Sequence, residues 1–416
     1  MTTKNASRPV YLLGGYQTDF SRNWSKESKH LVAMMREAVL GALEQTHVDP
    51  KEIDVGHVGN FAAELYCMQG HTGAFLVDCD PAFSGLPTSR HEAACASGSI
   101  AALCAAAEIE AGRYDLALVC GVEMMKSVDS KRGGDFLGTA AWYDREARGV
   151  EFPFPKLFGK LGDEYDKRYG LEDEHLARIS AVNYANAKLN PNAQTRTWFM
   201  NYEHACSTGP FNARIGGRIK LTDCSQVTDG AACVLLASPD FATKWATRRG
   251  RSLADIPRIL GWGHRTAPME FTTKVAESAG DPYVLPQTRR AIVDAFARAG
   301  LPGVGAVHTI ETHDCFTTSE YMAIDHFGLT APGESWKAVE EGVIEIGGKC
   351  PINPSGGLIG AGHPVGATGT RQLLDAYLQV TAQAGDYQVA NARRAATLNI
   401  GGSGTTSVVH IVGFED

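Results

Sequence analysis

Four short stretches of the chain combine reactive side chains with small neighbours. The first is His91-Glu92-Ala93-Ala94-Cys95-Ala96-Ser97-Gly98-Ser99, directly before a helical pattern. Small residues on both sides leave the Cys95 sulfur accessible, and a helix N-terminus offers free N–H groups that favour a thiolate. A cysteine met alone is more often a small core residue, but the Ala-Cys-Ala-Ser-Gly setting favours a nucleophile. The second stretch runs Asn353-Pro354-Ser355-Gly356-Gly357-Leu358-Ile359-Gly360-Ala361-Gly362-His363-Pro364-Val365-Gly366-Ala367-Thr368-Gly369. A histidine held before proline among glycines suits a base and an oxyanion donor. A dinucleotide loop is the rival reading, but the third glycine is out of register and no ribose carboxylate follows. The third, Glu311-Thr312-His313-Asp314-Cys315-Phe316-Thr317, ends a strand; its alternatives are a metal site or a plain surface loop, and its spacing matches no familiar metal motif. The fourth, Leu398-Asn399-Ile400-Gly401-Gly402-Ser403-Gly404, could aim a backbone N–H at an oxyanion or could be a simple hairpin turn.

The elements that position these stretches alternate. Strands are expected at Val10–Leu13, Val55–Phe61 and Leu116–Cys120, with helices over His30–Thr46 and after Gly98. The second half repeats the order: a helix at Arg289–Ala299, a strand at Val307–Glu311, the glycine loop, a helix at Gln372–Ala382, and strands at Ala396–Ile400 and Thr406–Val412. Internal duplication is the simplest source of such a repeat, and the alternation argues for α/β layers with buried sheets. Residues 122–222 break the pattern with Phe152-Pro153-Phe154-Pro155, Trp198 and Tyr202, and are expected to form an inserted lid with helices at Gly162–Tyr169 and Asp173–Leu189. The apolar run Ala231–Ala237 returns to the core.

Composition narrows the class. The 416 residues are 44% hydrophobic and 21% charged, which excludes a disordered chain. A net charge of −8 argues against nucleic acid as a partner. No apolar run reaches the roughly 18 residues of a membrane span. Met1–Ala6 lacks the apolar core of a secretory signal, and Gly413–Asp416 is no peroxisomal signal. Ten cysteines without a C-x-x-C pair read as reduced thiols, so a cytoplasmic protein without a structural zinc is expected.

Taken together, the four stretches resemble the thiolase family over nearly the whole chain. Cys95 in its Cys-x-Ser-Gly setting, the segment Leu221–Leu236, the GGxxGxGHPxGATG loop and the final Gly-Gly turn stand in the family's order. His313-Asp314-Cys315-Phe316 and Asn399 resemble the sterol-carrier-protein type of thiolase, while His91–Ala94 resembles archaeal and bacterial thiolase-like proteins. The resemblance implies two duplicated βαβαβ-type halves stacked as α/β/α/β/α layers with an inserted loop domain. The halves would be residues 1–121 plus 223–260 and residues 261–416, with the insertion at 122–222. It also implies an acyl-CoA C-acyltransferase that acts on coenzyme A thioesters, with no bound cofactor and no catalytic metal. Cys95 would be the acylated nucleophile, His363 its base, His313 and His363 the donors to an enolate oxygen, and Cys315 the group that moves the α-carbon proton. Backbone N–H groups of Cys95 and Gly401 would hold the oxyanion. A homodimer or homotetramer is expected, with the apolar strand around Val119 near a sheet edge. The competing readings are a decarboxylating condensing enzyme of ketoacyl synthase type and a thiolase-like binding or assembly protein.

Overall fold

The structure is a computed structural model that describes residues 8–415, so Met1–Ser7, including the Met1–Ala6 stretch read above, and Asp416 fall outside it. Nine strands form one mixed sheet. They are β1 (Tyr11–Gln17), β2 (Val55–Gly59), β3 (Thr88–His91), β4 (Leu116–Met124), β7 (Asp229–Ala237), β8 (Arg258–Thr266), β9 (Thr309–Glu311), β10 (Arg394–Gly401) and β11 (Thr406–Gly413). A small separate hairpin joins β5 (Arg214–Gly216) to β6 (Ile219–Lys220).

The repeat seen in the sequence is written into the pairing. In the first half the order is β3-β2-β4-β7-β1, with two parallel pairings followed by two antiparallel ones. In the second, Ile352 bridges to Ile310 of β9, and the order continues through β10, β11 and β8 with the same two parallel and two antiparallel pairings. The two sets meet at one edge, where Tyr11 of β1 pairs with Arg258 of β8. β8 begins at Arg258, three residues before the expected boundary at 261. β4, which carries Val119, is flanked on both sides, so the open edge belongs to β3 and not to the Val119 strand.

Five layers follow from where apolar side chains point. Along β4, Leu116, Leu118, Cys120 and Val122 face the Leu31–Thr46 helix, through Met34, Met35 and Ala38, while Ala117 and Val119 face the opposite side. Both faces are covered, so the strand reads as a continuous apolar run. The middle layer holds the Ser97–Glu110 and Thr368–Val380 helices, whose Ala101, Ala102, Ala105, Leu373 and Ala376 pack between the two sets of strands. These helices approach so closely at Gly369 that a Cβ there would lie 2.3 Å from the backbone nitrogen of Ser99. The outer layer of the second half is built from the Pro286–Arg298 and Thr317–Phe327 helices against Ile310, Leu398, Ile400, Val409 and Ile411.

The inserted segment is more deeply integrated than a lid. Its helix begins at Pro153, not Gly162, with proline at the first turn where its missing N–H costs nothing. Leu157, Phe158, Leu161 and Tyr165 of that helix belong to the same core as the second half. The following Asp173–Ala187 helix packs on the Gly357–Ala361 helix: a Cβ at Gly360 would meet Ala187 Cβ at 2.7 Å. Among the described residues no helix is long and apolar enough to cross a membrane.

Candidate active site

Cys95 sits two residues before the Ser97–Glu110 helix, after Ala94, whose φ of +51° is a strained left-handed conformation for a residue with a side chain. His363 lies in the loop five residues before the Thr368–Val380 helix. His313 follows β9. The reactive atoms of Cys95, His313 and His363 all lie within 4.8 Å of one another, and the two imidazole rings meet edge to face with centroids 5.2 Å apart. Cys315 lines the same cavity as Cys95, His363 and Gly402. All four residues singled out in the sequence converge.

The two imidazoles are wired in opposite senses. His363 Nδ1 lies 2.7 Å from Thr368 Oγ1, and that hydroxyl donates its own proton to the carbonyl of Pro364 at 3.0 Å. Thr368 must therefore accept from His363 Nδ1–H, which leaves the other ring nitrogen as a bare lone pair. At His313 the order reverses. Asn399 Nδ2 donates to His313 Nδ1 at 3.1 Å, and Ser99 Oγ donates to Asn399 Oδ1 at 3.0 Å. His313 therefore carries its proton on Nε2, a buried atom with no protein partner. One imidazole is poised to take a proton, the other to give a hydrogen bond. A cysteine and two histidines could also hold a metal ion by distance. A ligating His313 Nε2 would need its proton on Nδ1, where Asn399 presents a donor.

Burial keeps the groups uncharged at rest. The Cys95 thiol is pushed up to about 12, chiefly because burial penalises the thiolate; an N–H from Gly402 opposes the shift without cancelling it. Helix position alone thus does not yield a resting thiolate. The N–H of Cys95 itself also favours the thiolate, and Gly402 stands next along the turn from the Gly401 expected from sequence. Gly402 adopts a φ of +64° there, and a Cβ on it would lie 2.8 Å from the Ala140 carbonyl. Burial, then the Arg371 charge, lowers His363 to about 3. His313 is held well below the usual imidazole range by burial, His363 and Arg371. Burial likewise holds Cys315 as a neutral thiol, aided by the nearby Cys95.

Buried carboxylates fix the loops on which these groups ride. Asp314 accepts from the N–H groups of Leu358 and Ile359 at 2.6 and 3.1 Å and from Asn183 Nδ2 at 2.9 Å, which locks the His313–Phe316 stretch to the glycine loop. Glu123 accepts from the N–H groups of Phe61, Ala62 and Gly366 and from Asn60 Nδ2. Desolvation raises Asp314 and Glu123 each to about 7. The His363 N–H donates to Thr228 Oγ1 at 2.9 Å. Thr368, Asn399, Thr228 and Glu123 make these contacts without a signal in the sequence that announces them. Thr368 and Asn399 lie inside the quoted motifs, but which atom each offers is a matter of three-dimensional orientation.

Above Cys95 opens a cavity of about 660 Å³. The insertion supplies most of its wall, including Phe152, Phe154, Phe158, Tyr184 and Trp198. At the mouth, Phe199 and Phe211 are more than four-fifths exposed.

With this geometry in place, comparison with known proteins defines the class. The thiolase N-terminal domain model matches residues 10–197, and the thiolase C-terminal domain-like model matches residues 270–414. The chain belongs to the thiolase family and is an acyltransferase of that family. It is 33% identical to the acetyl-CoA acetyltransferase of Methanothermobacter thermautotrophicus over 97% of this chain and 99% of that protein. It is 28% identical to human sterol carrier protein 2, over 98% of this chain and 73% of that protein. A solved structure titled Ltp2-ChsH2(DUF35) aldolase superposes with a TM-score of 0.78, covering 98% of each chain at 19% identity, a likeness of fold.

Proposed function

We propose that the chain makes or breaks the C–C bond of a 3-oxoacyl-CoA through an acyl group carried on Cys95. The opposed wiring of His363 and His313 around that thiol carries the reading. In the cleavage direction Cys95 Sγ attacks the 3-oxo carbon while its proton passes to the bare nitrogen of His363. Both groups rest neutral, so proton transfer accompanies C–S bond formation. The N–H groups of Cys95 and of the Gly401–Gly402 turn, Gly402 foremost, donate to the oxyanion, and the C–C bond then breaks to leave an enolate. His313 Nε2–H donates to the enolate oxygen, and the neutral Cys315 thiol protonates the α-carbon. The incoming coenzyme A thiol gives its proton to the Cys315 thiolate and takes the acyl group. Cys95 leaves as a thiolate and recovers its proton from His363. Synthesis is the same path reversed.

The cavity and its apolar wall suit an acyl thioester as substrate, and we infer no further cofactor. The pairing supports a division into two thiolase halves, the second beginning near β8, with residues 125–228 inserted. The open edge of β3 supports a homodimer or homotetramer, for which light scattering should give a multiple of the chain mass. Ten free cysteines fit a cytoplasmic location. The direct test is intact mass after exposure to a panel of acyl-CoAs: wild type should gain one acyl group, and Cys95→Ala none. An unchanged wild-type mass across the panel would sink the reading.

A further inference from the structure

The turn that carries the Gly402 N–H is held by a group the chemistry above does not use. Lys274 lies in the Phe271–Glu277 helix and is 5% exposed. Its Nζ donates to Ser403 Oγ at 2.7 Å and to Thr405 Oγ1 at 2.8 Å. Burial pushes its ammonium down to about 8, with Glu146 as the charge that favours it. Glu146 meanwhile accepts from the N–H of Phe271 at 2.7 Å and from that of Trp142 at 3.0 Å, fixing the start of the Lys274 helix to the insertion. A buried ammonium without a contacting carboxylate is costly, and Lys274 shares the wall of a small cavity with the apolar Val284 and Leu285.

The turn needs such a tether. Gly402 and Gly404, at φ +64° and +81°, have the widest conformational freedom of any residue type. The main-chain bonds Thr405 N–H to Gly401 O and Ala267 N–H to Thr405 O hold its ends. Lys274 holds the side chains of Ser403 and Thr405, which flank Gly404.

We propose that Lys274 is a positioning residue that, by gripping Ser403 and Thr405, aims the Gly402 N–H at the oxyanion formed on Cys95. The proposal rests on the acyltransferase reading. Lys274→Met in the full chain should slow single-turnover acylation of Cys95 by acetyl-CoA or octanoyl-CoA by roughly 30- to 100-fold, near the effect of losing one oxyanion donor. The half-saturating concentration should stay within about twofold. Alkylation of Cys95 by iodoacetamide passes through no oxyanion and loses only the help of the Gly402 N–H to the thiolate, so its rate should fall by no more than about fivefold. Adding Ser403→Ala to Lys274→Met should cost little more, because both act through one contact. If Lys274→Met does not fold, Ser403→Ala combined with Thr405→Val should give the same split between acylation and alkylation. Acylation within threefold of wild type, or alkylation that falls in step with acylation, would overturn the assignment. A wild type that forms no Cys95 adduct overturns the acyltransferase reading itself, and the role of Lys274 with it.

Discussion

The two halves of the molecule share a pairing pattern and place a reactive side chain in the loop ahead of a central helix, yet they differ in two respects. The first half presents a thiol, Cys95, and the second an imidazole, His363. Between the last two strands of its sheet the first half inserts residues 125–228, whereas the second closes the matching hairpin with the turn 402–405. The long insertion builds a cavity and the short turn delivers an amide. In the proposed mechanism, one scaffold used twice supplies the nucleophile with its substrate chamber from one copy and the base with an oxyanion donor from the other. Equivalent positions in a duplicated fold share geometry without sharing chemistry.

The largest way to break this division of labour is Cys95→Ala. It should abolish acyl-enzyme formation in mass spectrometry while lowering stability by only about 1 kcal/mol, since the lost group is small. Next is the counterpart in the other half. His363→Asn should slow acylation about 1,000-fold, within the range of a positioned proton-transfer group, and a variant acylating at the wild-type rate would remove His363 as the base. Cys315→Ser separates the two stages by degree. Coenzyme A leaves readily as a thiolate that water can protonate, so Cys95 should still be labelled to completion, only more slowly, whereas carbon–carbon turnover should fall roughly 100-fold because a hydroxyl is a poorer acid than a thiol. Asn399→Asp tests the wiring alone. It sets an acceptor against His313 Nδ1, draws the proton there and strips Nε2 of its donor, so carbon–carbon turnover should drop about tenfold with acylation unchanged. The smallest effect contrasts buried histidines. His57 of the first half is hydrogen-bonded to His91 and Glu108, but neither ring nitrogen of His410 in the second half has a partner. Burial lowers His410 to about 4, so the unfolded chain binds the extra proton between pH 6.5 and 4. Stability from this group is full above pH 6.5 and is lost as pH falls through that window. His410→Leu should therefore raise the melting temperature modestly at pH 4–5 relative to pH 7, and an equal shift at both pH values would show that protonation plays no part.

The duplication and the convergence of the four candidate residues were legible because the motifs are dense in glycine and small residues and because doubly buried strands such as β4 spell continuous apolar runs. Other elements left no such trace. The Thr317–Phe327 helix is buried on every side, so TTSEYMAIDHF has no polar face to mark a helical period. β8 carries Arg258, His264 and Arg265 among its residues and is half exposed, which hides it from a search for apolar strands. The Thr368–Val380 helix starts four residues before the expected Gln372 because its first turn is made of Thr368, Gly369 and Thr370, poor helix formers tolerated for the close crossing at Ser99. Tautomers were beyond reach: His313 and His363 are the same residue type, and only Asn399 and Thr368 distinguish them.

The Thr368–Val380 helix also decides how the molecule comes apart. Leu373, Leu374 and Ala376 share one core with Val119 and Val234 of the first half and with Ala395 and Val412 of the second. Neither half has a floor of its own without this helix and its partner. Detaching residues 270–414 would bare an apolar face on both fragments. Global unfolding should then be a single cooperative event, with the slowest amides of β4 and β10 exchanging with deuterium at one common rate and losing protection together as denaturant is added.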